Sequence, residues 1–367
     1  MVPMLAIFDA TSVSLFFILL LLFITPVKSN STKNLFIIYM ASDNDLYIHA
    51  LGDILEIQNS SFENSKVLIL LDGKNETKTI EIDNSTQVEL KKFDNLNTGD
   101  PEVLTDFILF SLSRYKPENI ILGLWGHGDG RNFKGSDGKG VCFDETSIDY
   151  LTIKEIKESL RNVFNKKNRK IDIVFFDACF MQTVEVSYEL REYVDYVIAS
   201  QAYVPLDGFP YGVILKNISP EKLSILETGK EIVKSYFDSY NNGSQGIEEV
   251  SISFLNTSKS LDILKITKDF ITKNEKFNNI INLRENCLVP LNQKYVDYYS
   301  LFSILFNEED KILLDKIVSE YVILNLSSFK ENLNGFSIYF PPYYFPINLT
   351  FFTESGWENF LWKEFTY

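Results

Sequence analysis

Histidine occurs only twice in this chain of 367 residues, at His49 and His127, and cysteine only three times, at Cys142, Cys179 and Cys287. No C-x-x-C pair is present, so nothing points to a structural zinc site. Three cysteines make no disulfide framework, and an odd count leaves at least one thiol unpaired. Positive charge is also short: 35 Lys and Arg stand against 50 Asp and Glu, for a formal net charge of −15. That sign argues against a nucleic-acid partner and suits attraction of cationic substrates. The apolar run Ser14–Thr25 has twelve residues, short of the about 20 that span a bilayer comfortably.

Directly after that run comes "PVKSN", with Val27 and Ser29 in the small-residue pattern of a secretory cleavage site. Asp9 and the lack of any Lys or Arg before the run depart from the basic start of such leaders. Stretched from Val13 to Val27, the same segment fits an uncleaved anchor. Residues 1–29 therefore read as a signal peptide or a membrane anchor. The protein is expected to be secreted or extracellular, with membrane anchoring through this segment the alternative. Sequons such as Asn30, Asn59 and Asn84 make it a candidate glycoprotein.

The chain is 45% hydrophobic, enough for a large core. Short, continuous apolar runs read as buried strands: "NLFIIYM" from Asn34, "KVLILLD" from Lys66, "ENIILGLW" from Glu118, "KIDIVFFD" from Lys170 and "VDYVIA" from Val194. "STQVELKKFD" is more polar and reads as an edge strand. Helical periodicity separates the strands, clearest over Glu102–Arg114 and in "LTIKEIKESLRNVF". Asp43 or Asp45 is placed to cap the helix after the first strand. Such alternation predicts an α/β protein with a mostly parallel sheet covered on both faces. Sites in these sheets form beyond the carboxyl ends of the strands.

His127 and Cys179 sit just there, each after a predicted strand and 52 residues apart; the caspase pattern places its histidine about 50 residues upstream of the cysteine. A thiolate that attacks a carbonyl needs an imidazole to hold it ready and to protonate the leaving amine. The backbone N–H groups of Gly128 and Cys179 are candidates for an oxyanion hole. A helix over residues 180–192 would begin directly after Cys179 and favour its thiolate. The bland alternatives are a small core cysteine and a solvated loop histidine. His49 falls within a helical pattern and reads as a surface residue.

"LWGHGDG" together with "FFDACFMQTVEVSYEL" resembles the clostripain family of cysteine peptidases, in the caspase-like superfamily. "IIYMASDNDL", "NTGDPEVLTDFI", "VIASQAYVPLDGFPY" and "GFSIYFP" extend the likeness, which is good from Asn34 to about Tyr211 and thinner beyond. The resemblance implies a caspase-like three-layer α/β/α sandwich. It implies His127 and Cys179 as the catalytic pair and cleavage after Arg or Lys. Asp177 and Asp207 match positions associated with the pocket for that cation, and a carboxylate is the partner a buried guanidinium needs. On their own, Asp177 could be a helix N-cap and Asp207 a turn residue. The family also implies zymogen storage with cleavage after the histidine strand, where Lys134 and Lys139 lie. It implies possible calcium dependence too, although no EF-hand-like run appears; the chemistry itself requires no cofactor. Gln201 stands where relatives often carry an acid, which bears on how the pocket is held.

The expected organisation is a leader over 1–29, a peptidase core over 30–255, and a C-terminal extension over 256–367 packed on the core, with a late strand near 335–340. The expected partners are protein or peptide substrates carrying Arg or Lys. Two other functions fit the same motifs. One is a superfamily peptidase or transamidase of different specificity, such as a legumain-like enzyme that cleaves after Asn. The other is a catalytically inactive cell-surface binding module.

Overall fold

The computed structural model describes residues 30–128, 140–219, 223–273, 280–291, 294–342 and 348–365. The leader segment and Lys134 and Lys139 lie outside these residues. In chain order the strands and helices begin β1 (Asn30–Met40), α1 (Tyr47–Asn59), β2 (Ser65–Gly73), β3 (Glu76–Asp83), β4 (Thr86–Phe93), α2 (Pro101–Arg114) and β5 (Tyr115–Trp125). Next come β6 (Gly140–Asp144), β7 (Asp149–Thr152), α3 (Ile153–Lys167), β8 (Ile171–Asp177), α4 (Val184–Leu190) and β9 (Val194–Ala199). The chain continues with α5 (Tyr211–Ile218), α6 (Ile225–Tyr240), β10 (Asn241–Gly243), β11 (Gly246–Ile247), β12 (Ser251–Asn256) and α7 (Ser260–Lys273). It ends with α8 (Ile280–Glu285), β13 (Tyr295–Asp297), α9 (Tyr298–Leu305), α10 (Glu308–Tyr321), β14 (Val322–Ser327), β15 (Ser337–Tyr339), α11 (Thr350–Ser355) and α12 (Trp357–Phe365).

Nine strands form one sheet in the order β14-β12-β9-β8-β5-β1-β2-β3-β4. Its five central strands, β2-β1-β5-β8-β9, run parallel, and an antiparallel pair closes each side. Alternate side chains of one strand reach opposite faces. Leu35, Ile37 and Tyr39 pack with Leu104 and Phe107 of α2 and Ile156 of α3. Phe36, Ile38 and Met40 pack with Ile54 of α1, Leu215 of α5 and Val233 of α6. Two cores on either side of one sheet make the three-layer α/β/α sandwich, and both faces being covered explains why the strands read as unbroken apolar runs.

Several local expectations change. The stretch "ETKTIEID" is a further strand, β3, between the two expected on either side of it. Neither Asp43 nor Asp45 caps α1: its N-cap is Leu46, without a side-chain bond, and the Leu46 N–H donates instead to Asn44 Oδ1. The helix after Cys179 starts at Val184, not at residue 180. Residues 180–183 are held by other partners. Phe180 N–H donates to the Ala202 carbonyl, Gln182 N–H to that of Ser200, and Thr183 bridges Ser337. Phe180 itself takes a positive φ of 60°. The late strand near 335–340 is β15, which pairs with β13 outside the main sheet.

Candidate active site

The register of the sheet brings the chemistry together. Trp125, the last residue of β5, pairs with Asp177, the last of β8. His127 and Cys179 each follow two residues later, so the 52-residue spacing in sequence is one register step across two parallel strands. Both line a pocket of about 540 Å³ whose other walls include Trp125, Gly126, Gly128, Asp177 and the segment Tyr203–Leu206. His49 sits half-buried on α1 and is not among the lining residues.

Gly128 is needed for a close approach. A Cβ there would lie 2.3 Å from the carbonyl oxygen of Cys179 and 2.7 Å from its nitrogen. Two backbone segments therefore lie against each other at Cys179. Among the described residues, neither the Gly128 nor the Cys179 backbone N–H donates to another backbone group. The Cys179 Sγ accepts the Val204 N–H at 3.4 Å. Burial pushes its thiol up; the Val204 amide opposes this, and Asp177 adds to it. With α4 beginning at Val184 and only seven residues long, the helix-terminus support expected for the thiolate is missing. The side chain of His127 is 22% exposed, and its Nε2 donates to Asp45 Oδ1 at 2.7 Å. In the sequence Asp45 reads only as a helix cap; the neighbouring "SDND" gives no hint which acid turns toward the histidine.

Asp177 is not a helix N-cap. Only 4% exposed, its Oδ2 accepts the Phe209 N–H at 3.1 Å and the Tyr211 hydroxyl at 2.9 Å. Gly208 has φ +54°, and a Cβ on it would come within 2.8 Å of the same Oδ2. Burial raises the Asp177 carboxyl, and Glu56 raises it further against those two hydrogen bonds. Behind the pocket, Asp53 accepts the Trp125 indole N–H at 2.8 Å. Burial, then the charge of Asp177, push Asp53 up to about 9. Asp207 sits exposed on the same segment as Gly208 but is not among the residues lining the pocket. Gln201 also lies outside it. Buried, it donates to Asp297 Oδ2 and Ser337 Oγ, both at 3.0 Å, and accepts the Gly335 N–H at 2.7 Å. It ties the turn just after β9 to the C-terminal segments, and it does not line the pocket as the expected influence would need. All three cysteines are free thiols, so Cys142 and Cys287 are not joined.

No helix among the described residues is long and apolar enough to cross a membrane. A carboxylate cluster that could hold a metal, Asp43, Asp72 and Asp144, lies apart from the pocket lining.

The fold has solved counterparts. A secreted C11 cysteine protease from Bacteroides thetaiotaomicron, in complex with an irreversible peptide inhibitor, aligns with a TM-score of 0.73 at 20% identity, covering 89% of this chain and 99% of that one. An inactive zymogen C11 protease from Parabacteroides distasonis aligns with a TM-score of 0.69 at 20% identity, covering 90% and 99%. At such identities the likeness establishes the fold. Clostripain of Hathewaya histolytica is 24% identical over 359 residues, which take in 79% of this chain and 65% of that protein. The chain thus spans just under two thirds of that relative's length. The sequence profile of the clostripain family matches residues 38–334, most of the chain, including β5, β8 and everything that lines the pocket. The chain belongs to the clostripain family.

Proposed function

We propose that this protein is a secreted cysteine endopeptidase that cleaves after Arg or Lys through Cys179 and His127. The observation that carries the reading is the convergence of one of only two histidines and a half-buried cysteine on a single pocket, with buried Asp177 in its wall. Asp45, by accepting from Nε2, keeps the neutral ring in the tautomer that leaves Nδ1 as the base. That nitrogen takes the Cys179 proton, and the thiolate attacks the scissile carbonyl. The tetrahedral oxyanion is met by the N–H groups of Gly128 and Cys179, which have no other backbone acceptor to satisfy among the described residues. His127 returns the proton to the leaving amine, and a water then hydrolyses the thioester by the same route in reverse.

An arginine or lysine side chain entering the pocket meets Asp177, with Asp53 and Glu56 behind it. Burial raises all three carboxyls, and neighbouring acids add to it, so a cation there would offset the cost of their ionised forms. Asp207, exposed between Leu206 and Gly208 of the pocket lining, is the second carboxylate of this reading. A neutral asparagine could hydrogen-bond to this wall but would not offset its charge, which favours a basic residue over the legumain-like alternative. The Bacteroides relative is a secreted protease, which agrees with the export reading of residues 1–29.

A labelled peptidyl-Arg acyloxymethyl ketone tests the whole reading. Labelling is expected in the wild type, absent in Cys179→Ala, and strongly reduced in Asp177→Ala, which should still be alkylated by iodoacetamide. A wild type left unlabelled under reducing conditions would leave the inactive binding module standing.

A further inference from the structure

The turn that follows β9 grips the residues around Cys179 in three places. The Ser200 carbonyl accepts the Gln182 N–H and the Ala202 carbonyl accepts the Phe180 N–H, both at 3.0 Å. Two residues on, the Val204 N–H donates to Cys179 Sγ at 3.4 Å. The gripped stretch is strained: Phe180, directly after Cys179, sits at φ 60°, a left-handed conformation that is unfavourable for a residue with a side chain. Such a residue keeps its conformation only where the surroundings over-determine it. No helix terminus steadies it, since α4 starts only at Val184. The placement of Cys179 therefore depends on how the turn itself is held.

Gln201, between the two gripping carbonyls, carries the tether. Its Nε2 donates to Asp297 Oδ2 and Ser337 Oγ, and its Oε1 accepts the Gly335 N–H. The Ser337 N–H in turn donates to the Gln182 carbonyl at 3.0 Å, which closes a ring from the turn through the C-terminal segments to the residues after Cys179. Asp297 anchors that ring. It ends β13, is wholly buried, and caps α9 by accepting the Ser300 N–H on Oδ1 at 2.8 Å. Asn334 adds its N–H to Oδ2 at 2.7 Å and its Nδ2 to Oδ1 at 2.9 Å. Each oxygen thus accepts twice, always from a neutral donor, an arrangement that suits an ionised carboxylate. A helix cap uses one of these bonds; the others reach Gln201 and Asn334. We propose that Asp297, acting through Gln201, is a positioning residue for Cys179: the C-terminal segments hold the turn after β9, and the turn holds the proposed nucleophile. The effect on turnover rests on the peptidase reading; the effect on the thiol does not.

The test compares the full chain with Asp297→Asn, Gln201→Glu and the double variant, each first shown to be folded by circular dichroism and gel filtration. In Asp297→Asn an amide NH2 opposes Gln201 Nε2, and in Gln201→Glu two carboxylates meet. In the double variant the new amide donates to the new carboxylate, so the bond forms again with its polarity reversed. Either single change should lower kcat for peptidyl-Arg cleavage at least about tenfold while KM moves less than about threefold. Either should also move the pH midpoint of Cys179 alkylation by iodoacetamide upward, because the Val204 bond that holds the thiol down is loosened. The double variant should recover at least about threefold of the lost kcat. Thr152→Ala, which weakens the remote cap of α3, controls for lost stability and should move neither readout. A folded Asp297→Asn protein with wild-type kcat and an unmoved midpoint overturns the proposal. So does a double variant whose loss is the sum of the single losses, or a Thr152→Ala protein that loses as much. Should Asp297→Asn fail to fold, Gln201→Glu carries the test with the same two readouts. A wild type that is alkylated yet cleaves nothing would sink the peptidase reading and leave the alkylation midpoint to decide this one.

Discussion

Gly208 and Asp177 illustrate how little room the pocket wall leaves. A methyl at residue 208 would press on Asp177 Oδ2 at 2.8 Å, and the backbone there is in the left-handed region. Gly208→Ala is expected to cost about 1–2 kcal/mol of stability from the strained φ alone. Displacing the carboxylate should also lower kcat/KM for arginyl peptides at least about tenfold; steady-state kinetics with unchanged values would show that the wall is not used. Asp53 offers a pH test. Its native carboxyl, raised to about 9, keeps a proton that the unfolded chain loses near 4. The folded state therefore binds more protons between these values. The stabilisation from Asp53 is full below about 4 and is lost as pH climbs toward 9. Asparagine can still accept from Trp125 and has no such titration. Asp53→Asn should thus gain on the wild type by about 1 kcal/mol or more between pH 5 and pH 8, read from urea unfolding at each pH. A difference that does not change with pH would refute the protonated Asp53.

Among the elements, those whose stability is set by local sequence are the legible ones. α2 starts at Pro101 with Asp100 accepting from Glu102 N–H, and α3 starts with a reciprocal cap between Thr152 and Glu155. Thr152→Ala should cost about 1 kcal/mol in denaturant unfolding while leaving peptide cleavage unchanged. The parallel strands are equally plain, because both faces are buried. β3 is hidden in the sequence because its inward residues include Thr77 and Thr79, polar side chains that mask the alternation. The region after Cys179 looks helical throughout, yet bonds to Ala202, Ser200 and Ser337 claim residues 180–183. Those partners come from the turn just after β9 and from a segment more than 150 residues away, and no local propensity encodes them. For the same reason His127 and Cys179 can be picked out from their strands, whereas Asp45 cannot. Its contact depends on how the turn after β1 is pinned to Phe143 and Glu145.

For the whole molecule, the parallel sheet fixes where chemistry occurs, at the carboxyl ends of adjacent strands, and the net charge of −15 fixes what is drawn there. Cationic peptides should be steered toward an acidic surface, an effect that salt screens. Raising NaCl from about 0.05 to about 0.5 M should lower kcat/KM for arginyl peptides several-fold, with iodoacetamide alkylation of Cys179 as the uncharged control. Equal salt effects on both would remove steering as the cause.

Three tryptophans are present, and their placement gives the protein an optical reporter of its own. Trp357 is wholly enclosed and Trp362 is 52% exposed on the far helix, while Trp125 borders the pocket with its indole N–H bound to a carboxyl. That ring is only 4% exposed, so a docked cation would act on it through its charge rather than by drying it. With the other two changed to phenylalanine, the colour of ultraviolet fluorescence should register occupancy directly, with no dye and no turnover.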